Sequence, residues 1–158
     1  MYKVLKIEGK EYKLEYTVEA SLYEDCTQSV TDVMTDIAEN SENSDIKGLM
    51  GTMARVPQKA ITVFYAGLLE YHGPEGDGTV PNLEEGKRLC VAYLKEQGCN
   101  WYDVLNMCME QMGEDGFFKL VGLDTLFRTV TEEPEEPKMP KVPQDHKKKE
   151  KVSASKSQ

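Results

Sequence analysis

The sequence predicts a mainly α-helical α+β protein, in which an N-terminal β-hairpin precedes about five helices and a disordered C-terminal tail. Three observations predict this class. Apolar residues alternate with polar ones near the N-terminus, they recur every three or four positions through most of the following chain, and they almost vanish from Glu132 onward. We therefore expect one folded domain over residues 1–131 and a disordered tail, rich in Pro, Glu and Lys, over residues 132–158.

Charge and composition exclude several classes of protein. The 158 residues include 28 acidic and 19 basic side chains, a net charge of −9, and an acidic domain repels the phosphates of nucleic acids. The longest nearly apolar run, residues 60–69, is far shorter than the ~20 residues of a membrane helix. The N-terminus has no continuous apolar segment that would indicate a secretory signal. We expect a cytoplasmic protein whose four cysteines are reduced core residues.

The first third of the domain should contain the hairpin and one long helix. Residues 2–8 and 11–16 alternate with period two on either side of Gly9, which predicts two paired strands. Apolar residues then recur at helical spacing over residues 18–40, after a potential cap at Thr17. Residues 39–45 are polar and are predicted to form a loop. Because two strands alone are marginal in water, the hairpin must pack on the helices.

Pro57 is predicted to separate two helices. The residue before a proline avoids helical geometry, so a short helix is expected to stop there. A second helix should begin at Pro57 and end at Gly73, with Gly73 in left-handed geometry. The apolar positions of the short helix are Ile46, Leu49, Met50 and Met53, and those of the second are Ala60, Ile61, Phe64, Leu68 and Tyr71. The turn-rich residues 73–81 are expected to be a flexible connection.

Two further helices share one signature: an Asn at the cap position, an acidic residue three positions later and a closing glycine. They are predicted over residues 83–97, between Asn82 and Gly98, and over residues 101–112, between Asn100 and Gly113. A short apolar segment, residues 117–121, follows near the end of the domain.

No arrangement of residues indicates catalysis. Of the two histidines, His146 lies in the predicted tail, and His72 lies at a helix end, where a partly exposed structural role is favoured. The glycine-rich residues 73–78 lack the Lys-Ser or Lys-Thr of a phosphate-binding loop. Three cysteines are spaced by nine residues, whereas zinc ligands are usually paired two to four apart. We therefore expect no enzyme, no cofactor and no metal site.

Short motifs spread over residues 1–122 resemble those of the tail assembly chaperones of long-tailed, non-contractile bacteriophages and prophages. The opening residues 1–14, with the sequence GKEYKL at their end, are similar to the hairpin of that family. The other similar segments are Phe64 to Gly73, Asn82 to Glu85, Tyr93-Leu94 and Gly116 to Phe118.

The resemblance implies a function without catalysis. Such chaperones bind the tape measure protein, keep it soluble and extended until the tail tube polymerises around it, and act in the cytoplasm of the bacterial host. They are absent from the mature virion. The tail tube protein is a second candidate partner, and self-association remains open. The candidate partner-binding residues are Phe64, Leu68, Tyr71, Trp101, Phe117 and Phe118. For Trp101, the only tryptophan in the chain, a place in the core is favoured over a role as a binding anchor.

Other functions stay open at this point. A structural virion component, such as a head–tail connector or a minor tail protein, would be found in purified particles. A small adaptor that binds nucleic acid through the lysine-rich tail would bind with strong salt dependence. Finally, the family often produces a longer form by ribosomal frameshifting, and Lys147–Lys149 could be encoded by a slippery run; otherwise these lysines only keep the tail solvated.

Overall fold

The computed structural model describes residues 1–42 and 46–125, although not the side chains of residues 40–42. One compact unit, Met1–Leu123, contains the hairpin and the six helices described below. Asp124 and Thr125 belong to a second unit, whose remaining residues lie outside the described part of the chain. The prediction of a mainly helical α+β fold with an N-terminal hairpin is confirmed. The predicted disorder of residues 132–158 concerns residues outside the described part.

Strands β1 (Lys3–Ile7) and β2 (Lys10–Leu14) form the antiparallel hairpin. Ile7 opposes Lys10, so the turn has only two residues, Glu8 and Gly9, with φ values of 53° and 77°. Two positive φ values define the type I′ turn, whose twist suits a hairpin. One face of the hairpin is buried, as the period of two requires, and consists of Leu5, Ile7, Tyr12 and Leu14.

The helix expected over residues 18–40 is divided into α1 (Val18–Leu22) and α2 (Glu24–Glu42). The break lies at Tyr23, which is extended, and its ring packs edge-on against Tyr65 with 5.5 Å between the ring centroids. This contact is distant in sequence, so local periodicity could not reveal it. The cap at Thr17 is confirmed, since its hydroxyl accepts the N–H of Glu19. The predicted loop over residues 39–45 is also corrected, because α2 continues to Glu42.

Helix α3 (Ile46–His72) is continuous, so the predicted break before Pro57 is wrong. Proline has no N–H and therefore leaves the carbonyl of Met53 without its usual helical donor. Ion pairs with α2 lie on both sides of this defect. The Arg55 guanidinium lies 3.4 Å from Asp36 and the Lys59 ammonium 3.0 Å from Asp32.

The backbone at the end of α3 also differs from the prediction, which placed Gly73 in left-handed geometry. Gly73 does not have a positive φ. A Cβ on Gly73 would lie 2.6 Å from the carbonyl oxygen of Leu69, so the chain needs glycine there for close backbone approach.

Helices α4 (Leu83–Gln97), α5 (Trp101–Asp115) and α6 (Phe117–Leu120) complete the fold. Asn100 and Asp103 form a reciprocal capping box, whereas at α4 only the Asn82 half is present. The predicted end of α5 at Gly113 is corrected, because the helix continues to Asp115 and Gly116, with φ 73°, ends it.

Helix α3 lies at the centre of the unit and packs against β2, α1, α2, α4 and α5. The hairpin approaches it most closely at Gly67, whose carbonyl accepts the N–H of Glu15 at 2.9 Å. A Cβ on Gly67 would overlap the side chain of Leu14 and lie 2.9 Å from the ring of Tyr16. A small residue at position 67 is therefore what lets β2 lie directly on α3.

Candidate partner-binding surface

The six predicted partner-binding residues do not form one surface. Phe64, Leu68 and Phe117 have no exposed area and belong to the core, where Phe117 packs edge-on against Tyr16. Because a partner cannot touch a fully buried side chain, these three cannot contribute to a surface of the folded unit. Tyr71, Trp101 and Phe118 are partly exposed, and each has different neighbours: Tyr2 for Tyr71, the groove residues on α3 for Trp101, and Phe117 for Phe118.

Tyr71 attaches the hairpin to α3. Its hydroxyl donates to Glu15 at 2.9 Å, and this hydrogen bond is the main reason that the pKa of Tyr71 is raised. Its ring meets Tyr2 edge-on, and the Lys13 ammonium lies 4.6 Å and 5.0 Å from the centroids of Tyr2 and Tyr71. These contacts occupy Tyr71 within the fold.

Trp101 lies at the wall of a groove with a volume of about 470 Å³, which we name the Trp101 groove. The capping box fixes the first turn of α5 and thereby places Trp101 and Tyr102 opposite α3. Pro57 forms part of the facing wall. The groove is lined by Met53, Val56, Pro57, Asn100, Trp101 and Tyr102. Mainly apolar walls with a few polar groups are typical of binding clefts.

An exposed apolar stripe leads into this groove along the first half of α3. Four large apolar side chains lie there at helical spacing and are between 50% and 72% exposed. We name them the α3 stripe: Ile46, Leu49, Met50 and Met53. Met53 belongs to both the stripe and the groove, so the two form one continuous surface. From Ile46 to Pro57 it extends about 16 Å, or three helical turns.

The sequence predicts a short helix from these four apolar residues and does not indicate whether they are buried or exposed. The periodicity of a buried face and of a partner-binding face is the same, because both follow the helix. Two features of the sequence nevertheless distinguish this segment from a core helix. The stripe region contains Gly48 and Gly51, which weaken a helix, and two of its four apolar residues are methionines, which adapt to varied partners.

His72 is buried and its imidazole is fully engaged, which corrects the expected partial exposure. Its Nε2 accepts the backbone N–H of Lys13 at 2.9 Å, so the ring proton is on Nδ1. Nδ1 donates to Asp77 at 3.0 Å. Asp77 in turn accepts the hydroxyl and backbone N–H of Thr79, and the hydroxyl bond is the main cause of its lowered pKa. His72 therefore fixes a strand and a loop in place.

The connection over residues 73–81 is ordered by these bonds, contrary to the expected flexible connection. The N–H groups of Asp77 and Val80 donate to the carbonyls of Tyr71 and His72, and Val80 is fully buried.

The cysteines are packing residues for the most part. Cys26, Cys90 and Cys108 are fully buried, whereas Cys99 is partly exposed. Burial raises the pKa of Cys26 and of Cys108 to about 12, which keeps both as thiols. Over residues 1–42 and 46–125, no group of three or more His, Cys, Asp or Glu side chains could hold a metal ion.

A second groove of about 440 Å³ lies beside the end of α5. Its carboxylates are used within the fold: Asp115 accepts the Tyr16 N–H at 2.8 Å and pairs, together with Glu15, with the ammonium group of Met1.

No helix in the described part of the chain combines the length and apolar character needed to cross a membrane. Comparison of the chain with protein-family models, with curated proteins and with solved structures found no match.

Proposed function

We propose that this protein is a non-enzymatic tail assembly chaperone that binds the tape measure protein of a long-tailed phage. The observation that supports this most directly is the continuous apolar surface made by the α3 stripe and the Trp101 groove. Soluble monomers seldom expose several large apolar side chains side by side, and where they do the patch usually binds a partner. The resemblance of short motifs over residues 1–122 to those of tail assembly chaperones supports the choice of the tape measure protein as the client.

The shape of this surface suits a helical client. A surface three turns long accommodates the apolar face of an amphipathic helix through anchors at i, i+3 or i+4, and i+7. Met50 and Met53 supply flexible side chains that adjust to different segments. Weak binding repeated along one long client yields high overall affinity through avidity.

The proposal places the protein in the cytoplasm of the bacterial host and leaves it out of the mature virion. It includes the tail tube protein as a second partner, and it leaves self-association to measurement. A function without catalysis agrees with the engagement of His72, since both of its ring nitrogens serve the fold. A general base needs a ring nitrogen within reach of substrate.

The test is affinity purification of the tagged protein from cells that are producing the phage, before lysis. We expect one very long, helix-rich phage protein as the dominant partner. The variant Met53→Asp should lose it, because a charge in the apolar surface is costly to bury. Leu22→Asp is the matched control, since Leu22 is 72% exposed and lies outside this surface.

Three results would contradict the proposal. Stoichiometric presence of the protein in purified particles would support the structural virion component. Recovery of nucleic acid alone would support the adaptor. Equal loss of the client in both variants would show that the α3 stripe is not its binding surface.

A further inference from the structure

The helices on either side of α3 carry an unusually uniform charge. Helix α2 contains six acidic residues and no basic one, and α5 contains four acidic residues and no basic one. Both helices pack directly against α3. Glu39 on α2, and Asp103, Glu110 and Glu114 on α5, are exposed. The two helices that flank α3 therefore present a net negative charge to solvent.

Helix α3 itself has the opposite composition. It has no acidic residue from Ile46 to Leu69 and three basic ones, Lys47, Arg55 and Lys59. Two of these cations are neutralised within the fold by Asp36 and Asp32. The positive charge of α3 is thus largely compensated, and the field at the groove is set by the remaining carboxylates.

From this arrangement we propose that the Trp101 groove and the α3 stripe select amphipathic helices whose polar flanks carry Lys and Arg. The inference rests on the proposed function for the source of these helices, and it specifies which segments of the client are bound. The apolar face of the segment occupies the stripe, and its cations lie in the field of α2 and α5. Such complementarity raises the association rate and disfavours helices with acidic flanks.

Size favours one partner helix over a second copy of this chain. The surface is about 16 Å long, and a helix is about 10 Å wide. A surface of these dimensions matches one helix, whereas a stable dimer of standard size buries about 800 Å² on each partner. Two copies would also bring together two chains with a net charge of −9. A single basic helix needs a smaller contact area, and its charge is opposite to that of this chain.

Trp101 makes the test direct, because it is the only tryptophan in the chain and lies in the groove. Its fluorescence can be followed while peptides without Trp or Tyr are added. The peptides are amphipathic helices of about 15 residues with a leucine stripe. One has Lys at the polar positions, a second has Glu there, and a third is a scrambled Lys peptide without a stripe.

We expect the Lys peptide to bind at least tenfold more tightly than the Glu peptide at low salt, and the scrambled peptide not to saturate. Added salt should reduce the difference, since it screens exposed charges. The double variant Glu39→Lys/Glu110→Lys should lower the preference severalfold. Glu11→Lys/Glu75→Lys is the matched control, with the same net charge at exposed positions outside the groove and the helices α2, α3 and α5.

Each other outcome overturns the inference. Equal binding of the Lys and Glu peptides would show that charge plays no part, and absence of binding by both would show that the groove takes no helix. Binding by the scrambled peptide would show that the preference for the Lys peptide is a non-specific attraction between opposite charges. A dimer that Met53→Asp dissociates would assign the surface to a second copy. None of these peptide results depends on the tape measure protein, so the proposed function is tested separately by the purification.

Discussion

At the scale of single residues, His72 connects parts of the chain that are far apart in sequence. Its imidazole joins the backbone of Lys13, 59 positions earlier, to the loop residue Asp77. In the two-residue hairpin the N–H of Lys13 points away from β1, so it needs a partner outside the sheet. The ring of Tyr12 packs edge-on against His72 and limits the access of water.

Replacing His72 by Phe should lower the free energy of unfolding by about 1–3 kcal/mol, because the Lys13 N–H then loses its acceptor in a partly buried place. Urea denaturation followed by circular dichroism measures the change. The variant Asp77→Asn keeps an oxygen that can accept from Nδ1 and should cost less. A change below about 0.5 kcal/mol for His72→Phe would show that water satisfies the Lys13 N–H.

At the scale of elements, α3 tolerates a proline that would interrupt an isolated helix. The carbonyl of Met53 loses its helical donor, while buried residues around Pro57, including Val56 and Ala60, keep the backbone in place. Tertiary packing thus overrides the local preference, which explains why the break expected from the sequence is absent.

The variant Pro57→Ala should raise the free energy of unfolding by about 1–3 kcal/mol, because it restores the missing helical hydrogen bond. Thermal and urea denaturation would both report the gain. Gln58→Ala, at the next exposed position, serves as the control and should change stability by less than about 0.5 kcal/mol. A loss of stability in Pro57→Ala would mean that the proline ring contributes more to the packing of the groove than its missing N–H costs.

The ion pair between Asp32 and Lys59 should make the attachment of α2 to α3 dependent on pH. The Lys59 ammonium holds the pKa of Asp32 below its usual value of 3.8. A lowered carboxyl pKa contributes stability that is present above the unfolded-state value and is lost as the pH falls through the folded-state value.

We therefore expect Asp32→Asn to be less stable than the wild type by up to about 1 kcal/mol near neutral pH. The difference should shrink as the pH falls below 3.8 and vanish below the lowered folded-state pKa of Asp32. Urea denaturation across this range measures it, since urea adds no ionic strength. Glu110→Gln is the control for general charge effects, because Glu110 is exposed on α5. A difference that persists in acid would trace the effect to packing of the side chain.

Several elements were predictable because their signal was local. The hairpin turn at Gly9, the cap at Thr17 and the capping box at Asn100 each depend on residues within three positions, and all are present. The break at Tyr23 and the continuity at Pro57 depend on contacts with distant residues, such as Tyr65 and Asp36, which no local pattern contains.

At the scale of the whole molecule, the hairpin is held by its contact with α3 at Gly67. A pair of strands is marginally stable on its own, so this contact largely determines whether the N-terminal residues are folded. Glu15 and Tyr16 both bind α3 through hydrogen bonds here: the Glu15 N–H donates to Gly67, and the Tyr16 hydroxyl donates to the carbonyl of Val63 at 2.9 Å.

Gly67→Ala should lower the free energy of unfolding by about 1–3 kcal/mol, because the added methyl group overlaps Leu14 and Tyr16. Gly113→Ala is the matched control within a helix. Its methyl group would lie 3.9 Å from Phe118, an ordinary contact, and it should add up to about 1 kcal/mol through better helix propensity. Equal effects of the two variants in urea denaturation would refute the close approach at Gly67.

The candidate surface was only partly predictable at this scale. Trp101 was a candidate either for a binding anchor or for the core. It is partly exposed and lies at the wall of the Trp101 groove. Phe64, Leu68 and Phe117 were candidates because they are large and apolar, which is also what places them in the core. Whether an apolar face of a helix is covered depends on where the neighbouring helices begin and end. Helix α5 begins at the level of Pro57 and leaves the earlier turns of α3 uncovered.

The hydrogen bond between Lys13 and His72 also determines when the hairpin can become stably folded during synthesis. The turn at Glu8 and Gly9 is made first and can close within microseconds. The N–H groups of Lys13 and Glu15 donate to His72 and Gly67. Each of these acceptors is translated more than 50 residues after its donor. At about 5–20 residues per second, the two strands wait several seconds for the helix that stabilises them. The hairpin is therefore made before the residues that fix it, and it stays marginally stable until α3 has been translated.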